Sequence, residues 1–204
     1  MKLGLLGGTF NPVHNGHLFL ALEAMNVARL DRVVFIPNRL PPHKELPDVC
    51  GETRYDMLCK AVEGIPEFEV SRVELDRQGR SYTIDTLESF PAEQKLTFIC
   101  GADAFNADWY RLEDVVERLE TLLLANRAGY PFEMPAQLLE LPDRLKTRIR
   151  MMTFPDIAIS SSELRARIRE RRPFRFLIPE PVYRIITESR LYCKTSASGS
   201  PAAE

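Results

Sequence analysis

The sequence is poor in features that mark the more specialised protein classes. Its 204 residues hold four cysteines, Cys50, Cys59, Cys100 and Cys193, and no two stand at C-x-x-C spacing. No Cys/His cluster resembles a zinc site, so the thiols read as reduced cysteines of a cytoplasmic protein. Long apolar runs are also missing. The longest, such as Val33 to Ile36 and Leu122 to Ala125, are far too short to span a bilayer. The N-terminal residues carry one lysine and reach Gly7-Gly8 early, without the apolar stretch and cleavage site of a signal peptide. Neither sign of charge is in excess: 27 basic and 29 acidic side chains leave a net charge of −2. No global field therefore draws the chain to nucleic acid or to a membrane surface. What is present is an ordinary balance of 45% apolar and 27% charged residues, in a chain long enough to bury a sizeable core.

Short apolar runs alternate with helical stretches. Lys2 to Leu6, Val33 to Ile36, Phe68 to Val73, Lys95 to Cys100, Leu122 to Ala125 and Arg148 to Thr153 read as strands. Leu18 to Leu30, with apolar residues at 18, 19, 22, 25 and 30, reads as a helix, as do Thr53 to Val62, Leu112 to Leu119, Ser160 to Arg171 and Pro179 to Glu188. This alternation predicts an α/β fold with a doubly wound parallel sheet. The expected organisation is a single domain over 1–194, more helical from about residue 160, followed by a loose tail over 195–204. Parallel sheets bind ligands beyond the carboxyl ends of their strands, so the informative loops follow Leu6, Ile36, Cys100 and Thr153. The Pro-rich stretch 37–51 is too long to be a mere connector.

The first chemistry-bearing segment is Gly7-Gly8-Thr9-Phe10-Asn11-Pro12-Val13-His14-Asn15-Gly16-His17. Two glycines would let the backbone turn sharply and approach a ligand. Gly16-His17 would open a helix, whose free N–H groups favour phosphate. His14 and His17, three apart, would share a face and offer two imidazole N–H groups to one phosphate chain. The plain alternative is a strand–helix turn with two exposed histidines. The spacing excludes the dinucleotide-binding G-x-G-x-x-G, and no Gly-Lys-Ser/Thr phosphate loop is present. The second segment is Ile159-Ser160-Ser161-Ser162-Glu163-Leu164-Arg165. Hydroxyls at a helix start, with a forked cation one turn inside, suit a polyphosphate. A capped surface helix with a basic face is the alternative.

The first segment resembles the T/H-x-G-H signature of the nucleotidylyltransferase superfamily, and the second resembles that superfamily's I-S-S-T-x-I-R motif. Ser162 replaces Thr, and Leu164 replaces Ile. Within the superfamily, Pro41-Pro42-His43-Lys44, Ser81-Tyr82-Thr83-Ile84-Asp85-Thr86-Leu87, Gly101-Ala102-Asp103 and Trp109 resemble the bacterial nicotinate mononucleotide adenylyltransferases, over residues 3 to about 192. The resemblance implies a Rossmann-like nucleotidylyltransferase fold. It also implies transfer of AMP from ATP to nicotinate mononucleotide, with Mg²⁺ accompanying ATP. His14, His17 and Arg165 would be catalytic. Gly7, Gly8, Thr9, Phe10, Gly101, Asp103, Ser160, Ser161 and Ser162 would join them in binding ATP. Lys44, Tyr82, Thr83 and Trp109 would bind the mononucleotide. The chemistry of the residues agrees: N–H donors at Tyr82 and Thr83 suit the nicotinate carboxylate, and Trp109 offers a face to the cationic ring.

Other readings stay open. Lys44 could be a solvated lysine, Asp103 a loop cap and Trp109 a core residue. Asn11 stands where this family often has Asp, keeping the acceptor but losing the charge. Residues 144–175 carry ten basic side chains against Asp156, Glu163 and Glu170. Few aromatics interleave them, so a solvated face is expected rather than an RNA site, with Arg165 alone on the ligand. The alternatives in function are another acceptor, above all phosphopantetheine, or a nucleotide-binding regulator without turnover. A homo-oligomer is compatible with the sequence.

Overall fold

A strand buried on both faces reads as a continuous apolar run, and such strands must lie inside a sheet covered by helices on each side. The computed structural model describes residues 1–40, 48–127, 133–155 and 157–193, the side chains of Ala102, Asp103 and Arg127 excepted. In it, β1 (Lys2–Gly8), β2 (Arg32–Pro37), β3 (Phe68–Val70), β4 (Lys95–Gly101), β5 (Thr121–Arg127) and β6 (Ile149–Phe154) form one sheet in the order β3-β2-β1-β4-β5-β6. Every pairing is parallel. The order in which strands are added reverses between β1 and β4, so a crevice is expected at their carboxyl ends.

The two sheet faces take alternate residues, as a period of two requires. Leu6, Val33, Phe35, Ile99, Leu123 and Met152 face one core. There they meet Ala21 and Ala24 of α1 (Asn15–Ala28), Met57 and Leu58 of α2 (Gly51–Val62), Leu164 and Ile168 of α7 (Ser161–Arg169), and Val182 and Ile186 of α8 (Glu180–Glu188). Leu5, Val34, Ile36, Leu96, Phe98, Leu122 and Leu124 face the other core. That side is covered by α3 (Thr83–Glu88), α4 (Leu112–Arg118), α5 (Ala136–Leu139) and α6 (Asp143–Lys146).

Three local expectations need correction. Helix α1 starts at Asn15 rather than Leu18, and its buried residues are Ala21 and Ala24, while Leu22 and Val27 are exposed. Just beyond α1 the packing on the sheet is close: a Cβ at Gly4 of β1 would lie 2.6 Å from Leu30 Cδ1. Strand β3 ends at Val70, where its pairing with β2 ends. Helix α7 spans Ser161–Arg169, with Ser160 outside it as the cap. The 3-10 turns Ala102–Asn106 and Arg175–Leu177 and the four-residue α5 and α6 were not foreseen. Among the described residues no helix is long and apolar enough to cross a membrane.

Candidate active site

The crevice between β1 and β4 is built first by the chain leaving β1. The sharp turn expected at Gly7-Gly8 lies further on. Both glycines belong to β1, and Gly8 pairs with Pro37. The turn is made by Phe10, in the left-handed region at φ 48, and by a cis Asn11–Pro12 bond. Gly8 is small because a Cβ there would come within 3.0 Å of the Phe10 ring. That buried ring meets His17 edge-on, with centroids 4.9 Å apart, and Phe35 at 5.9 Å.

His14 caps α1 and His17 lies in its first turn. Their rings stack, with centroids 3.6 Å apart and planes 27° apart. The backbone N–H of His14 donates to Nδ1 of His17 at 3.2 Å. In the neutral ring the proton therefore sits on Nε2, which makes Nε2–H the donor. Burial, and then the neighbouring His14, hold the His17 imidazole well below its usual value, so the neutral form dominates. Gly16 separates the two histidines for a steric reason: a Cβ at 16 would lie 3.0 Å from His14 Nδ1.

Helix α7 is fastened to this loop. The Ser160 hydroxyl accepts from the Glu163 N–H (3.1 Å), an ordinary N-cap. The Ser161 hydroxyl donates to the Pro12 carbonyl (2.9 Å). Arg165 donates from Nη1 to the Asn11 carbonyl (2.8 Å), reaches the Ser162 hydroxyl from Nη2 (3.4 Å), and places Nε 3.3 Å from the Asp48 carboxylate. His14, His17 and Arg165 are thus brought to one loop, while the Ser160 and Ser161 hydroxyls are engaged within the protein. The Asn11 side chain, buried, accepts from the Tyr192 hydroxyl at 2.7 Å. Burial pushes that phenol far up.

The second wall follows β4. Gly101 ends the strand and leads into the 3-10 turn that carries Asp103. Tyr82 caps α3, and its ring lies 4.8 Å from Tyr110. Trp109 is half-buried. Its ring is parallel to Phe105 (4.7 Å, 6°), meets Phe98 edge-on, and donates its indole N–H to the Ala104 carbonyl at 2.9 Å. Phe105 covers one indole face, so only the opposite face can stack on a ligand ring. Lys44 lies outside the described residues.

Several residues at the site carried no local signal in the sequence. Glu74 is buried beside α3 and accepts from the Thr86 hydroxyl (2.7 Å). Burial pushes its carboxyl up against the lowering pull of Thr86, Ser81 and Arg77. Gln137 ties Trp109 to the 3-10 turn by accepting from the Trp109 N–H and donating to the carbonyls of Phe105 and Ala107. Arg54, inside α2, donates to the Thr9 carbonyl. Of the ten cations of 144–175, Arg144, Lys146, Arg165, Arg167, Arg172 and Arg175 pair with carboxylates, and Arg148 donates to the Leu119 carbonyl. Among the described residues no group of three or more His, Cys, Asp and Glu side chains could hold a metal ion.

Residues 5–167 match the cytidylyltransferase-like family model. A curated relative from Carboxydothermus hydrogenoformans is 41% identical over 94% of this chain and 98% of its own length. One from Thermus thermophilus is 42% identical over 94% and 100%. Both carry the name "probable nicotinate-nucleotide adenylyltransferase". Among solved structures, the Plasmodium falciparum nicotinic acid mononucleotide adenylyltransferase complexed with NaAD superposes with a TM-score of 0.72 at 15% identity, covering 94% of this chain and 97% of that one. At that identity the likeness concerns the fold. With the family model over most of the chain and curated relatives aligned over nearly their full length, this protein belongs to the nicotinate-nucleotide adenylyltransferase family of cytidylyltransferase-like proteins.

Proposed function

We propose that this protein transfers AMP from ATP to nicotinate mononucleotide, forming deamido-NAD and pyrophosphate in NAD biosynthesis. The observation that carries the reading is the stacked His14–His17 pair at the start of the fourteen-residue α1, with Arg165 anchored to the same loop at Asn11. Neutral His17 offers Nε2–H, and Arg165 offers a permanent cation to a phosphate chain. The helix start adds N–H groups and positive potential. The backbone of Gly7, Gly8, Thr9 and Phe10 and the first turn of α7 at Ser160, Ser161 and Ser162 would complete the cradle. Gly101 and Asp103 would hold the ATP ribose.

The reaction needs no strong base. An oxygen of the mononucleotide phosphate, already anionic, attacks the α-phosphorus in line. The new P–O bond forms as the bond to the bridging oxygen of pyrophosphate breaks, and that oxygen leaves with the electron pair. Catalysis is then positioning plus stabilisation of charge on the non-bridging oxygens, which fits a site of donors and cations. Mg²⁺ on the ATP phosphates would supply further charge neutralisation. Tyr82 and Thr83 would receive the nicotinate carboxylate, Trp109 the ring and Lys44 the phosphate.

The test is to incubate the protein with ATP, Mg²⁺ and each candidate acceptor in turn, identifying products by mass. Deamido-NAD from nicotinate mononucleotide is expected. A product formed only with phosphopantetheine would reassign the acceptor, and absence of pyrophosphate with every acceptor would point to a nucleotide-binding regulator.

A further inference from the structure

Arg54 is 1% exposed and heads the large side chains that are fully buried. It lies one turn into α2, and each of its nitrogens finds a backbone carbonyl. Nη1 donates to Thr9 (2.7 Å), Nη2 to Asn38 (2.7 Å) and Nε to Val49 (3.2 Å). Among the described residues no carboxylate pairs with it. The charged or ionisable neighbours that act on it are Tyr192 and Cys50, and burial outweighs both, lowering the guanidinium from its ordinary value. Arginine nevertheless stays protonated in proteins, so among the described residues a full cation is held here by three carbonyl dipoles.

A buried charge is costly unless it is paired or fully hydrogen-bonded. The three acceptors belong to separate segments. Thr9 follows β1, Asn38 follows β2, and Val49 precedes α2. One planar fork thus sets the distance between the loops leaving two neighbouring strands. Thr9 is also bonded to Asn38 through its hydroxyl (3.3 Å). The next residue is Phe10, whose ring sets the edge of His17. A neutral side chain could fill the space, but it could not satisfy three carbonyls pointing at one centre.

We propose that Arg54 is a positioning residue for adenylyl transfer: it fixes the Thr9 and Asn38 carbonyls and, through Phe10, the face that His17 presents to the phosphate chain. The inference rests on the proposed function. Arg54 touches no substrate in this role.

Arg54→Lys keeps the charge but cannot bridge three carbonyls in a plane. It is compared with the parent by urea unfolding, by steady-state kinetics with ATP and nicotinate mononucleotide, and by amide hydrogen exchange. In the folded variant kcat should fall at least about tenfold, with KM for both substrates within about threefold, since sub-ångström misplacement of reacting groups is read in kcat. Exchange should quicken over residues 9–17 and not in β5 and β6. A kcat within about twofold of the parent would overturn the proposal, as would exchange quickened evenly across the sheet. If Arg54→Lys does not fold, Arg54→Gln takes the same measurements. Failure of both variants to fold would assign Arg54 to stability alone and overturn the positioning role. A parent without turnover refutes the functional reading instead, and the exchange pattern then decides the inference by itself.

Discussion

At the scale of single residues, His17 is the group with the most to lose. Its Nδ1 is occupied by the His14 N–H and its ring is wedged by Phe10, so its orientation does not depend on substrate. Removing one preorganised donor from a site of developing charge costs about 2.7–4 kcal/mol in transition-state stabilisation. His17→Ala should therefore lower kcat by two to three orders of magnitude on that estimate, while urea unfolding shows a folded protein. Near-normal turnover would remove His17 from the mechanism. The same imidazole makes stability depend on pH. It is held neutral in the native protein but titrates at its ordinary value of 6.5 once unfolded. Below 6.5 the unfolded chain binds a proton that the native chain refuses, so this contribution to stability is lost as pH falls through that window. His17→Asn, which can still accept from the His14 N–H, should lose less stability than the parent between about pH 7.5 and 5.5. Urea midpoints at the two values, in both proteins, would show it. The His14-Gly16-His17 arrangement was legible because its contacts span three residues of chain. The Tyr192–Asn11 bond was not, because 181 residues separate the partners and neither has an unusual neighbour in sequence.

Elements were legible in proportion to how far burial governs their pattern. The six strands stood out because most are covered on both faces; β3, with its three residues, was overdrawn by three and β6 began one residue later than read. Helix α1 was placed and most of its apolar stripe holds: Leu18, Phe19 and Met25 pack against the core and Leu30 is buried. Leu22 is exposed instead, and the fully buried positions are Ala21 and Ala24, which carry little apolar signal. Helices α5 and α6 have four residues each and start behind Pro135 and Pro142, too short for any period to show. Helix α7 was read from its cap, and the cap is real, but the serine after it, Ser161, is the one fastened to the loop after β1. That difference can be measured. Ser160→Ala should cost about 1 kcal/mol of stability, as loss of an N-cap does, and should lower turnover less than Ser161→Ala does. Ser161→Ala should cost about 0.5–1.5 kcal/mol, the usual worth of one hydrogen bond. It should also lower kcat, because the Arg165 bond to the Asn11 carbonyl would then hold α7 to the Asn11–Pro12 turn without its second tie. Equal kinetics in the two folded variants would separate the Ser161 bond from catalysis.

On the scale of the whole molecule, the candidate site has two unlike walls, and the proposed function gives substrate choice to the wall after β4. Nicotinate and nicotinamide differ by a carboxylate against an uncharged amide. The N–H groups expected at Tyr82 and Thr83 favour the carboxylate, while an amide would turn its own NH₂ toward a donor. Hydrogen bonds to charged groups contribute roughly 1.5–3 kcal/mol, so a preference of at least about tenfold for nicotinate mononucleotide is expected in kcat/KM. Stacking on Trp109 cannot discriminate, since both substrates carry the same cationic ring. The packing adds a second consequence. Trp109 shares one face with Phe105 and is held by Ala104 and Gln137, so it is part of the wall as well as the proposed surface for the ligand. Trp109→Ala should weaken both mononucleotides in parallel and also lower the urea midpoint. Trp109→Phe should recover most of the midpoint while regaining only part of the stacking, because Trp is the strongest aromatic partner for a cation. The ratio of kcat/KM for the two mononucleotides should stay close to the parent's in both variants. Equal values in the parent would refute a carboxylate site at Tyr82 and Thr83. A ratio that collapses in Trp109→Phe, where the wall is intact, would mean that the indole itself reads the substituent on the ring.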